Sequence, residues 1–270
     1  MVGEKKGGLI GKIVIGSTLF FLYVPILTMM VFSFNEKRSL SVWGGFSLKW
    51  YVKLFNGRQM MEVVVNTVTI AVIATIVAVI IGTITAIGLS KSRKVLRNIV
   101  LNISDLPMIN PDIVTAIGLM LLFSSFGLNK GFMTVLLAHI IFCIPYVILS
   151  VLPKIRSLDN NLVDAAMDLG ATPWQALVRV ILPQLKSAII AGALIAFTMS
   201  FDDYVISYFV TGNGFKNISI LVSTMGRRTN PSVNALSTIF VLVISVGLIL
   251  YNLVPVVKDK GKVNKNAKID

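Results

Sequence analysis

The chain has 270 residues, 55% of them hydrophobic and only 14% charged, with a mean hydropathy of +0.83. A soluble domain carries about 25% charged residues, so this chain cannot coat a water-facing surface of its size, and the bilayer is its natural solvent. The net charge of +13 fits Lys and Arg on cytoplasmic loops better than nucleic-acid binding, because no recognition helix or zinc spacing accompanies it. One cysteine, Cys143, and one histidine, His139, are too few for an internal disulfide or for a metal site of the usual ligand count.

In chain order, a short basic segment leads into an apolar run over residues 9–34. It is too long for the apolar region of a signal peptide and lacks a clear cleavage site, so it reads as a retained first span. Residues 35–62 are mixed and polar, with Trp43 and Trp50 suited to a membrane interface. Residues 63–89 form the cleanest span, followed by the basic hinge of Lys91, Arg93, Lys94 and Arg97. Residues 99–126 are apolar but interrupted by Asp105, Pro107, Pro111 and Asp112; residues 132–152 form a further span that Pro145 is expected to break. Residues 153–186 are polar and amphipathic. Residues 188–210 are apolar with Asp202 and Asp203 inside them, and residues 235–257 are the last span before a lysine-rich tail.

The pattern predicts an all-α polytopic protein of about six helices, each near the roughly 20 residues needed to cross. Helices satisfy every backbone group internally, as lipid requires. One membrane domain is expected over residues 1–270. It comprises a first helix and outside loop over 1–62, a core over 63–257 with a cytoplasmic loop at 153–187, and a basic tail over 258–270. With both termini inside, sixteen of the 25 Lys and Arg fall on the cytoplasmic side, the expected bias.

Within the cytoplasmic loop, residues 158–185 read LDNNLVDAAMDLGATPWQALVRVILPQL. Asp159 is placed to cap a helix whose apolar positions Leu162, Ala165, Ala166 and Leu169 keep helical spacing. Gly170 suits the left-handed position that ends it. Thr172, Pro173 and Gln175 are the cap, first position and capping-box partner of a second helix. By physics alone, this helix–turn–helix is compatible with an interfacial amphipathic hairpin. The stretch DAAMDLGATPWQALVRVILP also resembles the EAA loop of ABC-importer permeases: Asp164, Ala165, Ala166, Gly170, Leu182 and Pro183 occupy that motif's places, with Asp164 where Glu is usual. The small alanines and the glycine let a partner surface approach the backbone, and Asp164 can pair with a basic group on it.

Further stretches, NPDIVTAIGLMLLF from Asn110, HIIFCIPYVI from His139, SFDDYVISYFVTG from Ser200 and NPSVNALSTI from Asn230, resemble the second permease subunit of spermidine/putrescine importers. The resemblance covers almost the whole chain after the first span. It implies a type I ABC importer transmembrane fold in a bacterial inner or plasma membrane. The partners it implies are a sister permease, ATPase subunits that bind ATP and Mg, and an extracellular polyamine-binding protein. This chain then has no cofactor and no catalytic or metal-ligating residue of its own. In agreement, it contains no P-loop, nucleophile elbow or HExxH motif.

The candidate substrate path consists of Asp202, Asp203, Asp112, Tyr204 and Tyr208. A carboxylate at mid-membrane costs about 2.5–3.5 kcal/mol on insertion scales, so it faces a cavity or a partner. Carboxylates and ring faces both attract cations. Neighbouring helical positions diverge by about 100°, so one Asp is expected on the path and the other on a helix. Asp112 serves equally well as a first-turn residue after an Asn110 cap with Pro111 at the first helical position. His139 reads as an interhelical hydrogen bonder, and Arg227 and Arg228 as outside-loop residues. A self-contained secondary transporter or channel using the same Asp residues is the alternative function.

The topology has a direct test. Reporter fusions after Lys94, Arg156 and Lys260 should read cytoplasmic and one after Asn213 external; an external signal at Arg156 would sink both the topology and the docking loop.

Overall fold

The computed structural model describes residues 9–39, 41–109, 111–159, 161–212, 214–225 and 231–247. They are helical throughout except for connecting turns and one isolated antiparallel bridge, Asn35 with Phe46. The chain divides into two compact units, residues 62–224 and the two flanking segments together.

The flanking unit begins with α1, Leu9–Phe32, apolar and exposed along its length, as a helix facing lipid or a partner must be. The polar segment after it is a folded loop built on Asn35. The buried Asn35 side chain donates to Ser39 O and Val42 O at 2.9 and 2.8 Å and accepts from Lys37 N and Gly44 N at 3.2 and 2.7 Å. Those four bonds use the two donors and both lone pairs of one amide. Trp50, in α2 (Lys49–Asn56), donates its indole N–H to Asn35 O at 2.7 Å and is buried. Trp43 stays half exposed, so of the two expected interfacial tryptophans only Trp43 keeps that option.

In the larger unit, α3 (Arg58–Ser90, whose first residues belong to the flanking unit) runs on to α4 (Lys94–Ile109), α5 (Asp112–Ser125) and α6 (Phe132–Arg156). Then come α7 (Leu162–Asp168), α8 (Pro173–Ala176), a π turn over Leu177–Ile181, and α9 (Leu182–Asp202). Short α10 (Val205–Val210) and α11 (Ile218–Thr224) close the unit; α12, Pro231–Gly247, belongs to the flanking unit.

Helix α6 is the core. Its Val135, Ala138, Cys143, Val147 and Val151 are wholly buried, and it packs most extensively against α9. Small residues bring the helices close, as membrane interfaces require. A Cβ added to Gly82 of α3 would lie 2.7 Å from Val147 Cβ, and one added to Gly192 of α9 would lie 3.3 Å from Val147 Cα. Ser150 Oγ donates to Ala188 O at 2.9 Å across the α6–α9 seam, and Thr134 Oγ1 donates to Val210 O at 2.8 Å on α10.

Several expectations are corrected. Pro145 does not break α6, which is continuous for 25 residues. One lost backbone bond costs about 3 kcal/mol, whereas fraying a helix end in lipid would expose several unpaired groups. Pro107 likewise lies inside α4, which runs to Ile109, and α5 starts at Asp112. The apolar run over residues 188–210 is not one helix: α9 stops at Asp202, Asp203 is extended (φ −62°, ψ 126°), and α10 starts at Val205. Among the described residues, four helical stretches are long and apolar enough to cross: Gly11–Phe32, Arg58–Ser90, Phe132–Arg156 and Pro173–Asp202. Asp112–Ser125 and Pro231–Gly247 are shorter apolar helices. Residues 248–257 of the last expected span, the basic tail, Asn110, Arg227 and Arg228 lie outside the described residues.

Gly82→Leu should disrupt the α3–α6 seam, where overpacking costs about 1–3 kcal/mol. Gly88→Ala in the same helix, with nothing within 4 Å of its Cβ position, should be neutral or mildly stabilising. Thermal unfolding of the purified protein in detergent reads both; equal melting temperatures would refute the close approach.

Candidate functional site

Two sites emerge, separated along the helices of the larger unit. The first lies at the C-terminal end of α6, in the segment that includes α7 and α8. Asp159 Oδ1 accepts from Asn161 N at 2.9 Å, an Asx turn, and the helix starts later than expected, at Leu162, with no side-chain cap from Asn161. At its far end Gly170 takes φ +86°. Gly170 N donates to Met167 O at 2.8 Å and Ala171 N to Ala166 O at 3.1 Å. This paired closure is the Schellman motif, and the left-handed residue it needs is best supplied by glycine. Thr172 and Gln175 then form the expected reciprocal capping box, at 3.0 and 3.3 Å, with Pro173 at the first position.

Leu162, Val163 and Leu177 seat this hairpin on the core, while Asp164, Ala165 and Gly170 are exposed and Ala166 is half buried. Leu169 departs from the expected buried stripe: it is 91% exposed, and Trp174 beside it is 70% exposed. Sequence reading missed both as surface anchors, although an apolar residue flanking the turn glycine and a Trp just after a Thr-Pro cap were the available signals. Leu182 is half buried and Pro183 exposed. They sit where the π turn enters α9; Leu182 N donates to Leu177 O, five residues back. That wider turn displaces the Arg179 carbonyl, which the Pro183 ring would otherwise meet.

The second site is a cavity of about 340 Å³ lined by Asp112, Phe142, Tyr146, Asp202, Asp203 and Tyr204, with neighbours from α5, α9 and α10. The helix break creates it. Asp203, its side chain only 9% exposed, accepts from Ile206 N at 3.2 Å and Ser207 N at 2.7 Å and so caps α10. His139 Nε2 lies 3.4 Å from Asp203 Oδ2. The buried His139 ring also meets Ser200 Oγ at 2.7 Å and Ser207 Oγ at 2.9 Å, joining α6, α9 and α10 as an interhelical hydrogen bonder. Asn217 Nδ2 donates to Ser207 Oγ at 2.8 Å, and Asn217 Oδ1 accepts from Ile220 N at 2.9 Å.

The two adjacent carboxylates thus differ: Asp203 is committed to the backbone and His139, while Asp202 is exposed on the cavity. Asp112 is exposed at the first position of α5, with Pro111 preceding it. Tyr204 lines the cavity. Tyr208 is one turn on, its ring 5.6 Å from that of Tyr204, and faces a different cavity. Tyr146 was not singled out in the sequence; its place four residues after Phe142 on one face of α6 was the signal. Two exposed carboxylates and two phenol rings around one space make an acidic, aromatic chamber suited to an organic cation.

Residues 78–259 match the family described as binding-protein-dependent transport system inner membrane component. The spermidine/putrescine transport system permease protein PotC of Haemophilus influenzae is 37% identical over 231 residues, 85% of this chain and 90% of the relative. The putrescine transport system permease protein PotI of Escherichia coli strain K12 is 38% identical over 242 residues, 86% of each chain. Among solved structures, a bacterial ABC transporter involved in the import of the acidic polysaccharide alginate aligns with a TM-score of 0.67 at 16% identity, over 94% of this chain and 98% of that one. The MetNI methionine ABC transporter aligns at 0.56 and 18% identity, over 73% and 95%. The fold is therefore that of ABC-transporter permeases, and the chain belongs to the family of inner membrane components of binding-protein-dependent transport systems.

Proposed function

We propose that this chain is a transmembrane permease subunit of an ATP-driven polyamine importer of the spermidine/putrescine class. The observation that carries the reading is its identity of 37–38% over most of its length to PotC and PotI, permeases of spermidine/putrescine and putrescine systems. The acidic chamber agrees with a polycationic cargo. In this reading both termini are cytoplasmic, and a sister permease completes the translocation path along the exposed faces of the helices. A separate ATPase, holding ATP and Mg, docks on the exposed surface of Asp164, Ala165, Ala166, Leu169, Gly170 and Trp174, while Leu182 and Pro183 transmit its movement into α9. Cargo passes Asp202, Asp112 and Tyr204, with Tyr146 on the wall, while Tyr208, a turn on, faces the other cavity and lies off this path. Asp203 holds the break that presents them.

The coupling step is ATPase closure pulling the hairpin, and α8, the π turn and α9 form one continuous lever from Pro173 to Asp202. Its far end carries the carboxylate that faces the chamber. Cargo passage and ATPase state are thereby linked through one helix, and the linkage has to be reciprocal in its binding free energies.

Asp202→Asn removes a cavity charge with little change in volume. It should lower spermidine uptake at least tenfold, with normal membrane insertion and normal ATPase co-purification. Asp203→Asn should instead lower the melting temperature and the yield of assembled complex, because a buried charge-assisted cap is lost. Wild-type uptake in both variants and in their combination would refute the chamber.

At Gly170 an added Cβ has no atom within 4 Å, but Gly170→Leu forces a bulky residue into positive φ, at about 1–2 kcal/mol. It should weaken ATPase co-purification and uptake together while the protein remains in the membrane. Unchanged values for both would mean that the hairpin is not a coupling surface.

A further inference from the structure

The end of the helical unit opposite the hairpin carries another cavity, of about 590 Å³, whose lining includes Lys130, Tyr208, Gly212, Phe215 and Lys216. Its frame is fixed. Gly212 takes φ +65°, and a Cβ there would lie 2.8 Å from Lys130 Cβ and 3.2 Å from Lys130 O, so the two loops touch only because this residue is glycine. Thr211 Oγ1 donates to Phe215 O at 2.8 Å. The buried Phe215 ring packs edge-on against Phe132 with centroids 5.6 Å apart. Asn66 Nδ2 on α3 donates to Lys216 O at 3.3 Å. The Lys216 backbone is thereby anchored and Lys130 lies against Gly212, while both side chains are exposed and, among the described residues, neither forms a salt bridge.

This charge is opposite to that of the acidic chamber. Two ammonium groups repel a polyamine, so the cavity is no station on the cargo's route; it suits a carboxylate-bearing partner. The family is binding-protein-dependent. One neighbour in fold was solved in complex with its substrate-bound periplasmic protein. A soluble protein that captures a polycation has to hold carboxylates around its cleft, because only they neutralise the cargo. We infer that the Lys130–Lys216 cavity receives an acidic segment at the cleft rim of the soluble binding protein. This inference rests on the polyamine reading above. Docking then has a second consequence: the lysines compete with the cargo's ammonium groups for nearby carboxylates, which loosens the cargo where it must be handed over.

The test uses the assembled importer in phosphatidylcholine nanodiscs and its cargo-loaded binding protein, with the dissociation constant measured at low and high salt. Lys130→Glu combined with Lys216→Glu should weaken docking at least tenfold at 10 mM salt. The difference should shrink at 150 mM, where the screening length falls from about 30 to about 8 Å. Lys130→Gln with Lys216→Gln should give a smaller loss in the same direction and carries the test if charge reversal prevents assembly, which ATPase co-purification reports. Docking that is unchanged in the Gln pair overturns the inference. So does a loss that appears only when anionic phosphatidylglycerol is present, which would make the cavity a lipid site. The same complexes reconstituted in proteoliposomes separate the two levels. Wild-type spermidine uptake with unaltered docking in the variants sinks this inference alone, whereas a wild-type complex that carries no polyamine sinks the underlying reading too.

Discussion

The larger unit depends on how one helix break is satisfied. A helix that ends inside a membrane leaves backbone N–H groups without water to receive them, and each costs several kcal/mol if unpaired. Asp203 resolves this at the start of α10 by taking two of those donors on its carboxylate, and His139 on α6 lies beside the same carboxylate. The imidazole in turn bonds Ser200 and Ser207, so α6, α9 and α10 are fixed relative to one another by a single buried polar cluster. With the break held, the chain turns Asp202 outward and opens the chamber against α5. Had α9 continued, the run from 188 to 210 would have been a plain span with two costly charges and no chamber.

The same cluster gives the fold its direction. Helices α6 and α9 bury small residues against each other and so approach closely, and the hairpin at Gly170 joins them at one end. A displacement there is not absorbed in a loop: α8, the π turn and α9 are continuous. The π turn is the one place where the lever has an irregular hydrogen-bond ladder, and it is there because Pro183 demands it. Carboxylates of Asp112, Asp202 and Asp203 line the chamber, and Lys130 and Lys216 line the cavity beyond it.

Much of this was legible in the sequence, and the reasons differ by region. The hairpin was readable because capping is local chemistry: Thr172, Pro173 and Gln175 satisfy one another within four residues, and Gly170 needs only its own φ. The acidic residues of the chamber were readable because charge in an apolar run is conspicuous. The exposure of Leu169 was not, since helical spacing cannot distinguish a face that meets its own core from one that meets another chain. Nor was the division of labour between Asp202 and Asp203. It is decided by where α9 stops, and that depends on His139, more than sixty residues away in sequence. Pro145 misled for a similar reason: its local penalty is real, but the α6–α9 packing around it outweighs one missing bond. Tyr146 went unremarked because an aromatic residue in a span is usually packing, and only the break on the other side of the cavity exposes its ring edge.

In the proposed function this chain moves a polyamine by borrowing ATPase work rather than by using its own carboxylates as ion-driven sites. Proteoliposomes containing the purified chain with its sister permease and ATPase, supplied with the binding protein, separate the two directly. The account predicts spermidine accumulation that requires ATP on the hairpin side, requires the binding protein on the other, and persists when ionophores collapse every ion gradient. Accumulation by this chain alone, driven by a proton or sodium gradient without ATP, would contradict it.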